Sequence, residues 1–252
     1  MPARRLTGLV LVLALAGGVA LLWRAASRST PVTQADAVAA YRAEAPRAAG
    51  AVTPGVPAPG VYTYRATGGE DASVGPLSIS RPVPAEARYV VTPAPGGYAA
   101  ELRVSREHVE EYRYRVAGGW TRVTWRRVDV RFLGLGRDDR RDVVPAARWV
   151  PLRPRPGMRW TVDFRTGSLR TRGEGAVVGR TTLPLGGRRE PVAVVRTTTR
   201  TTGAHGGRRD ETLWWSPRLA LPVRITSDTR LGGVAAFRGR LRLDLVAEAP
   251  AR

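Results

Sequence analysis

The stretch "EYRYRVAGGWTRVTWRRVDVRF", residues 111–132, decides the fold. Tyr112, Tyr114 and Val116 alternate with Arg113 and Arg115, a period of two that places the two sets on opposite faces of a β-strand. "AGG", 117–119, is a turn, and Val123 and Trp125 then share one side of the next strand. Further on, Val128, Val130 and Phe132 form the apolar side. The apolar parity changes from odd to even between 125 and 128. A one-residue slip turns a strand over, so a β-bulge or strand break is predicted near Arg126–Arg127.

The same alternation extends in both directions. "YTYRA" aligns Tyr62, Tyr64 and Ala66, and "GYAAELRV" aligns Tyr98, Ala100, Leu102 and Val104. "RWTVDFR" sets Trp160, Val162 and Phe164 against Arg159, Thr161, Asp163 and Arg165. "VAVVRTTTRTT", 192–202, is rich in β-branched residues and leads through "GAHGG" into "DETLWW", a predicted hairpin. "LPVRIT" and "FRGRLRLDLVA" close the chain. Past residue 60 only "REHVEEY", 106–112, could be helical, and alternation fits it equally well. The expectation is a mainly β domain over 60–252. It is a curved antiparallel sheet or incomplete β-barrel of roughly ten strands, since no long helical crossover is available for parallel pairing.

Residues 1–5 are basic, and "LTGLVLVLALAGGVALLW", 6–23, carries no charge. As a helix that run spans about 27 Å, close to the ~30 Å hydrocarbon core of a bilayer. Arg4 and Arg5 before it favour a cytoplasmic N-terminus, whereas Arg24 and Arg28 beyond it weaken the asymmetry. A cleaved signal peptide competes with an uncleaved anchor. Bulky Trp23 and charged Arg24 occupy the place of a small-x-small cleavage site, which favours the anchor. Either way the β domain is expected outside the cytoplasm, held at the cell membrane by a single pass. Residues 24–59 read as an Ala/Pro-rich linker, with a short helix at 33–45 started by Thr33 as N-cap and Asp36 in the first turn.

The 252 residues carry a formal charge of +20, and every basic residue is Arg. Arg103, Arg113, Arg115, Arg122, Arg159, Arg165, Arg224, Arg238, Arg240 and Arg242 fall opposite the apolar positions, which predicts an arginine-rich outer face. Such a face attracts anionic lipid or an anionic cell-envelope polymer. Nucleic acid is not expected at an extracytoplasmic address. With no Cys, disulfides, thiolate nucleophiles and a lipidated N-terminal cysteine are excluded.

"ETLWWSPRLALPVRIT", 211–226, is a hairpin in which Leu213 and Trp215 share one face and Thr212 and Trp214 the other. Ser216–Pro217 starts its turn, and Leu221, Val223 and Ile225 point inward on the return. Two readings stand open: a hairpin clamped by Trp215 in the core, or Trp214 and Leu219 lining the mouth of an apolar groove. "ETLWWSPRLALPVR" resembles the strand-turn-strand of bacterial envelope proteins of the lipoprotein-carrier (LolA-like) type. "PLRPRPGMRWTVDF", 151–164, and "PGVYTYRATGGE", 59–70, are similar to other strands of such secreted β proteins. The resemblance implies a curved antiparallel sheet wrapped around an apolar groove.

No catalytic constellation is visible. His108 and Glu110 stand on one strand face at a metal-ligand spacing, without a visible third ligand. "GRDDRRD", 136–142, places Asp138, Asp139 and Asp142 among arginines and reads as a solvated loop. The serines lack a G-x-S-x-G setting. A non-enzymatic domain is therefore expected, without cofactor or metal, binding a lipid-like or apolar ligand or an envelope partner. Its candidate ligand-binding residues are Tyr62, Tyr64, Trp125, Trp160, Trp214 and Leu219. The alternative is a scaffold with those aromatics packed in a closed core.

Overall fold

A computed structural model describes residues 27–44, 54–132, 135–203, 206–233 and 235–252. The candidate span 6–23 and His205 lie outside the described residues. Among the described residues no helix is long and apolar enough to cross a membrane.

These residues form one helix, α1 (Gln34–Glu44), and thirteen strands. The strands are β1 (Gly60–Val74), β2 (Leu77–Pro82), β3 (Glu86–Ala94), β4 (Gly97–Ser105), β5 (His108–Ala117), β6 (Trp120–Phe132) and β7 (Leu135–Pro151). They continue as β8 (Arg159–Thr166), β9 (Leu169–Leu185), β10 (Arg188–Thr202), β11 (Gly207–Ser216), β12 (Leu221–Leu231) and β13 (Ala235–Leu245). From β3 to β13 each strand pairs antiparallel with the next. β1 pairs β13 from Tyr64↔Leu245 to Val74↔Ala235 and so closes the ring. Its other edge is divided, with β3 along Gly60–Arg65 and β2 along Gly69–Val74.

This is a closed antiparallel barrel, and the expected incomplete barrel of roughly ten strands is corrected on both counts. The physical reason is edge satisfaction: a curved sheet of this many strands ends its two rows of unpaired backbone groups by joining them. The open curved sheet around an apolar groove, implied by the carrier resemblance, is replaced by the same closure.

A bulge does interrupt β6, slightly earlier than the parity predicts. Tyr114 pairs with Val123 and Arg113 with Trp125, so Thr124 is the extra residue. Downstream of it Arg126, Val128 and Val130 face the interior, and Trp125 turns outward beneath the Arg113 guanidinium, 4.6 Å from its ring centre. The stretch 136–142, read as a loop, is strand: it belongs to β7 and pairs with β6 from Arg131↔Gly136 to Trp125↔Asp142.

The barrel interior divides into two halves. Toward the β3–β4, β5–β6, β9–β10 and β11–β12 turns it is filled by aromatic rings. Tyr98 stacks on Tyr114 at 4.8 Å, Tyr114 on Trp149 at 4.6 Å, and Trp149 meets Trp215 edge-on at 5.4 Å. Such pairs contribute about 0.5–1.5 kcal/mol each beyond their buried area. Val56, from the stretch read as linker, packs against this core. Residues 27–44 of that stretch are also docked, along the outer wall. α1 begins as expected, with the Asp36 amide donating to Thr33 Oγ1 at 3.1 Å, and Ala37 packs with Val32 on Val61 and Val90 of β1 and β3.

Candidate functional site

The other half of the barrel, toward the β4–β5, β8–β9, β10–β11 and β12–β13 connections, holds a cavity of about 220 Å³. Strand alternation builds its lining. β6 and β8 contribute Val123, Val128, Val130, Val162 and Phe164, an apolar wall. β10 contributes Thr197, Thr199 and Thr201, and β12 contributes Ser227 and Thr229. The threonines continue inward the row that starts with buried Val195, so one strand turns from aliphatic to hydroxyl as it enters the cavity.

A charged cluster stands between the cavity and β1. His108 and Glu110 lie on the inner face of β5, as their spacing required, and are both buried. The His108 ring contacts Glu70 of β1 through Nδ1 and lies 3.3 Å from Glu110 through Nε2. Glu70 pairs with buried Arg81, whose guanidinium covers the Phe132 ring at 3.9 Å. Glu110 accepts from Tyr112 Oη at 2.7 Å and from Arg209 Nη1 at 2.9 and 3.1 Å. Arg209 also donates to Glu211 at 2.8 Å.

Protonation follows from this arrangement. Burial alone would drive His108 neutral. The hydrogen bonds and charges of Glu110 and Glu70 outweigh it and push the pKa up to about 9. Burial would raise both carboxylates, but Arg209 and His108 hold Glu110, and His108 and Arg81 hold Glu70, below the ordinary carboxylate range. With His108 protonated, the cluster has three cations (Arg81, His108, Arg209) against three anions (Glu70, Glu110, Glu211). His108 is thus an ion-pair partner here. Among the described residues no group of three or more His, Cys, Asp or Glu side chains is placed to hold a metal ion.

None of the six residues chosen from sequence lines the cavity. Tyr62 and Tyr64 are buried in the aromatic half, their hydroxyls donating to the carbonyls of Ala58 at 2.7 Å and Pro222 at 2.6 Å. Trp160 is packed edge-on against Trp120 at 5.1 Å. Trp214 and Trp125 lie beneath arginines, Arg224 and Arg113. Leu219 sits in the β11–β12 turn against the core. That turn is architectural. Buried Ser216 donates to Glu190 at 2.5 Å and accepts the Leu219 amide at 3.1 Å, while Arg218 clamps Glu190 at 2.8 Å.

His108 and Glu110, marked by their spacing, do line the cavity, and alternation points to the rest of its charged lining. Counting back by twos from Leu213 gives Glu211 and Arg209; from Tyr114 it gives Tyr112, Glu110 and His108. Charge suggests exposure for Arg209 and Glu211, and the closed ring turns them inward instead.

Compared with known proteins, the chain is similar to a hypothetical lipoprotein, YmcC, from Escherichia coli. The two share 13% identity at a TM-score of 0.35, covering 75% of this chain and 86% of that one. No protein-family model matches, and no curated protein matches. The lipoprotein-carrier resemblance finds no counterpart among these comparisons.

Proposed function

We propose that this chain is a non-enzymatic, extracytoplasmic binding domain held at the membrane by residues 6–23, and that its cavity takes one small amphipathic, lipid-like molecule. The observation that carries the reading is the cavity's composition. An apolar wall of valines and Phe164 faces hydroxyls and the buried Glu110–Arg209–Glu211 group across about 220 Å³. A largely apolar space with a few convergent polar groups is the usual form of a small-molecule site.

The docked N-terminal segment supports a membrane source for that molecule. Ser29 donates to the Pro82 carbonyl at 2.7 Å, the Thr30 amide to Glu107 at 2.9 Å, and the Arg106 amide to the Thr30 carbonyl at 2.9 Å. Arg106 and Glu107 form the β4–β5 turn, at the cavity end. Only residues 24–28 separate Ser29 from the apolar run, a reach of roughly 17 Å at full extension. An anchor at 6–23 therefore sets the cavity end toward the bilayer.

The test is organic extraction of the full chain purified from membranes in mild detergent, beside a Thr199→Trp variant whose indole fills the cavity. A single small molecule released from the wild type and depleted in the variant supports the reading. Equal release from both removes the cavity from it and leaves a scaffold barrel.

A further inference from the structure

The outer wall carries a feature independent of the cavity. Arg172 of β9 pairs across the ladder with Arg200 of β10, Arg200 with Arg208 of β11, Arg208 with Arg230 of β12, and Arg230 with Arg238 of β13. Residues directly opposite in antiparallel strands share a face, so five arginines stand in one row across five consecutive strands. With strands about 4.8 Å apart the row is roughly 19 Å long. It ends on an acid at each side: Arg172 is opposite Asp163, and Arg238 is opposite Asp71. One step toward the aromatic end, the next outward row holds Glu174, Asp210 and Asp228.

We propose that this row is a binding track for a linear polyanion, a chain bearing phosphate or carboxylate groups, laid across strands β9–β13. Like charges directly opposite one another repel, and a fold does not place five in register without a compensating anion. The internal acids compensate only in part. Asp163 contacts Arg172 at 3.6 Å, Asp210 holds Arg208 at 2.7 Å, and Asp228 is shared by Arg230, Arg238 and Arg240 at 3.3, 3.8 and 3.3 Å. These contacts are largely exposed and therefore weak competitors for a multivalent ligand. Arg200, between Arg172 and Arg208 in the row, has no ion-pair partner among the described residues. Guanidinium groups take phosphate or carboxylate oxygens two at a time, and a repeating anion meets several in succession.

Geometry favours a chain over a bilayer. Five arginines in unbroken register form a line, and acids border it at both ends and along one side. A flat anionic surface would press on those acids as well as on the arginines.

The probe is fluorescently labelled linear polyphosphate, titrated at several salt concentrations against the full chain in nanodiscs of neutral lipid. Arg200→Glu reverses a charge within the row at an exposed position; Arg189→Glu, at the opposite end of the barrel, makes the same net-charge change. Unchanged thermal unfolding confirms that both variants fold. The expected result is binding that weakens at least tenfold for Arg200→Glu and less than twofold for Arg189→Glu, with a shallower salt dependence only in the former. Equal loss in both variants overturns the track in favour of bulk charge. Absent polyphosphate binding overturns it too, and capture of phosphatidylglycerol vesicles by the same nanodiscs would then assign the row to a membrane.

Discussion

At the scale of single residues, the interior is legible as a set of close fits and charge balances. Trp160 lies directly across from Gly175, and a β-carbon built on Gly175 would stand 2.1 Å from the indole. Gly175→Ala is expected to push Trp160 off its contact with Trp120 and to cost about 1–3 kcal/mol, read as a lowered urea midpoint with unchanged m-value. His108 yields a pH signature. Its folded pKa of about 9 lies above the unfolded 6.5, so its contribution is complete below about pH 6.5 and fades as the pH rises through 9. Glu70 and Glu110 are depressed below the unfolded 4.5, so theirs is complete above that value and is lost on acidification. Melting temperatures of the wild type should therefore fall between pH 6.5 and 9, and His108→Gln should flatten that decline. An identical slope in the variant would remove His108 from the account.

At the scale of elements, the β11–β12 hairpin shows what the Trp-Trp-Ser-Pro signature accomplishes. Trp215 enters the aromatic core, Trp214 stacks outside with Arg224, and Ser216 joins the turn to Glu190 of β10. Ser216→Ala removes a donor from a buried carboxylate and is expected to destabilise by about 1–3 kcal/mol in denaturant titration. A change within 0.3 kcal/mol would mean that Arg218 alone holds Glu190. Elements are also where the sequence reads best. The inward faces of β1, β4, β5 and β8 follow the alternation residue for residue, and the β6 bulge lies within three residues of its expected place. The cavity was harder to read because its lining is charged or hydroxyl-bearing. Alternation marks Arg209, Glu211 and Thr199 as inward, but only the assembled ring shows that cations and anions from β1, β2, β5 and β11 meet there.

At the scale of the whole molecule, closure was the feature beyond reach of local pattern. It depends on β1 meeting β13 across more than 160 residues, a match of lengths and registers rather than of residue types. Closure turns an apolar groove into two unlike halves, one packed with rings and one hollow. It also carries the arginine row around the outer wall. Under the proposed function, the aromatic half is structural and the cavity half would receive the ligand. Native mass spectrometry of the intact full chain, released from detergent beside Thr199→Trp, tests this most directly. The account predicts a wild-type mass increased by one small molecule per chain and a bare mass for the variant; a bare wild type that takes up nothing when incubated with membrane lipid extract would contradict it.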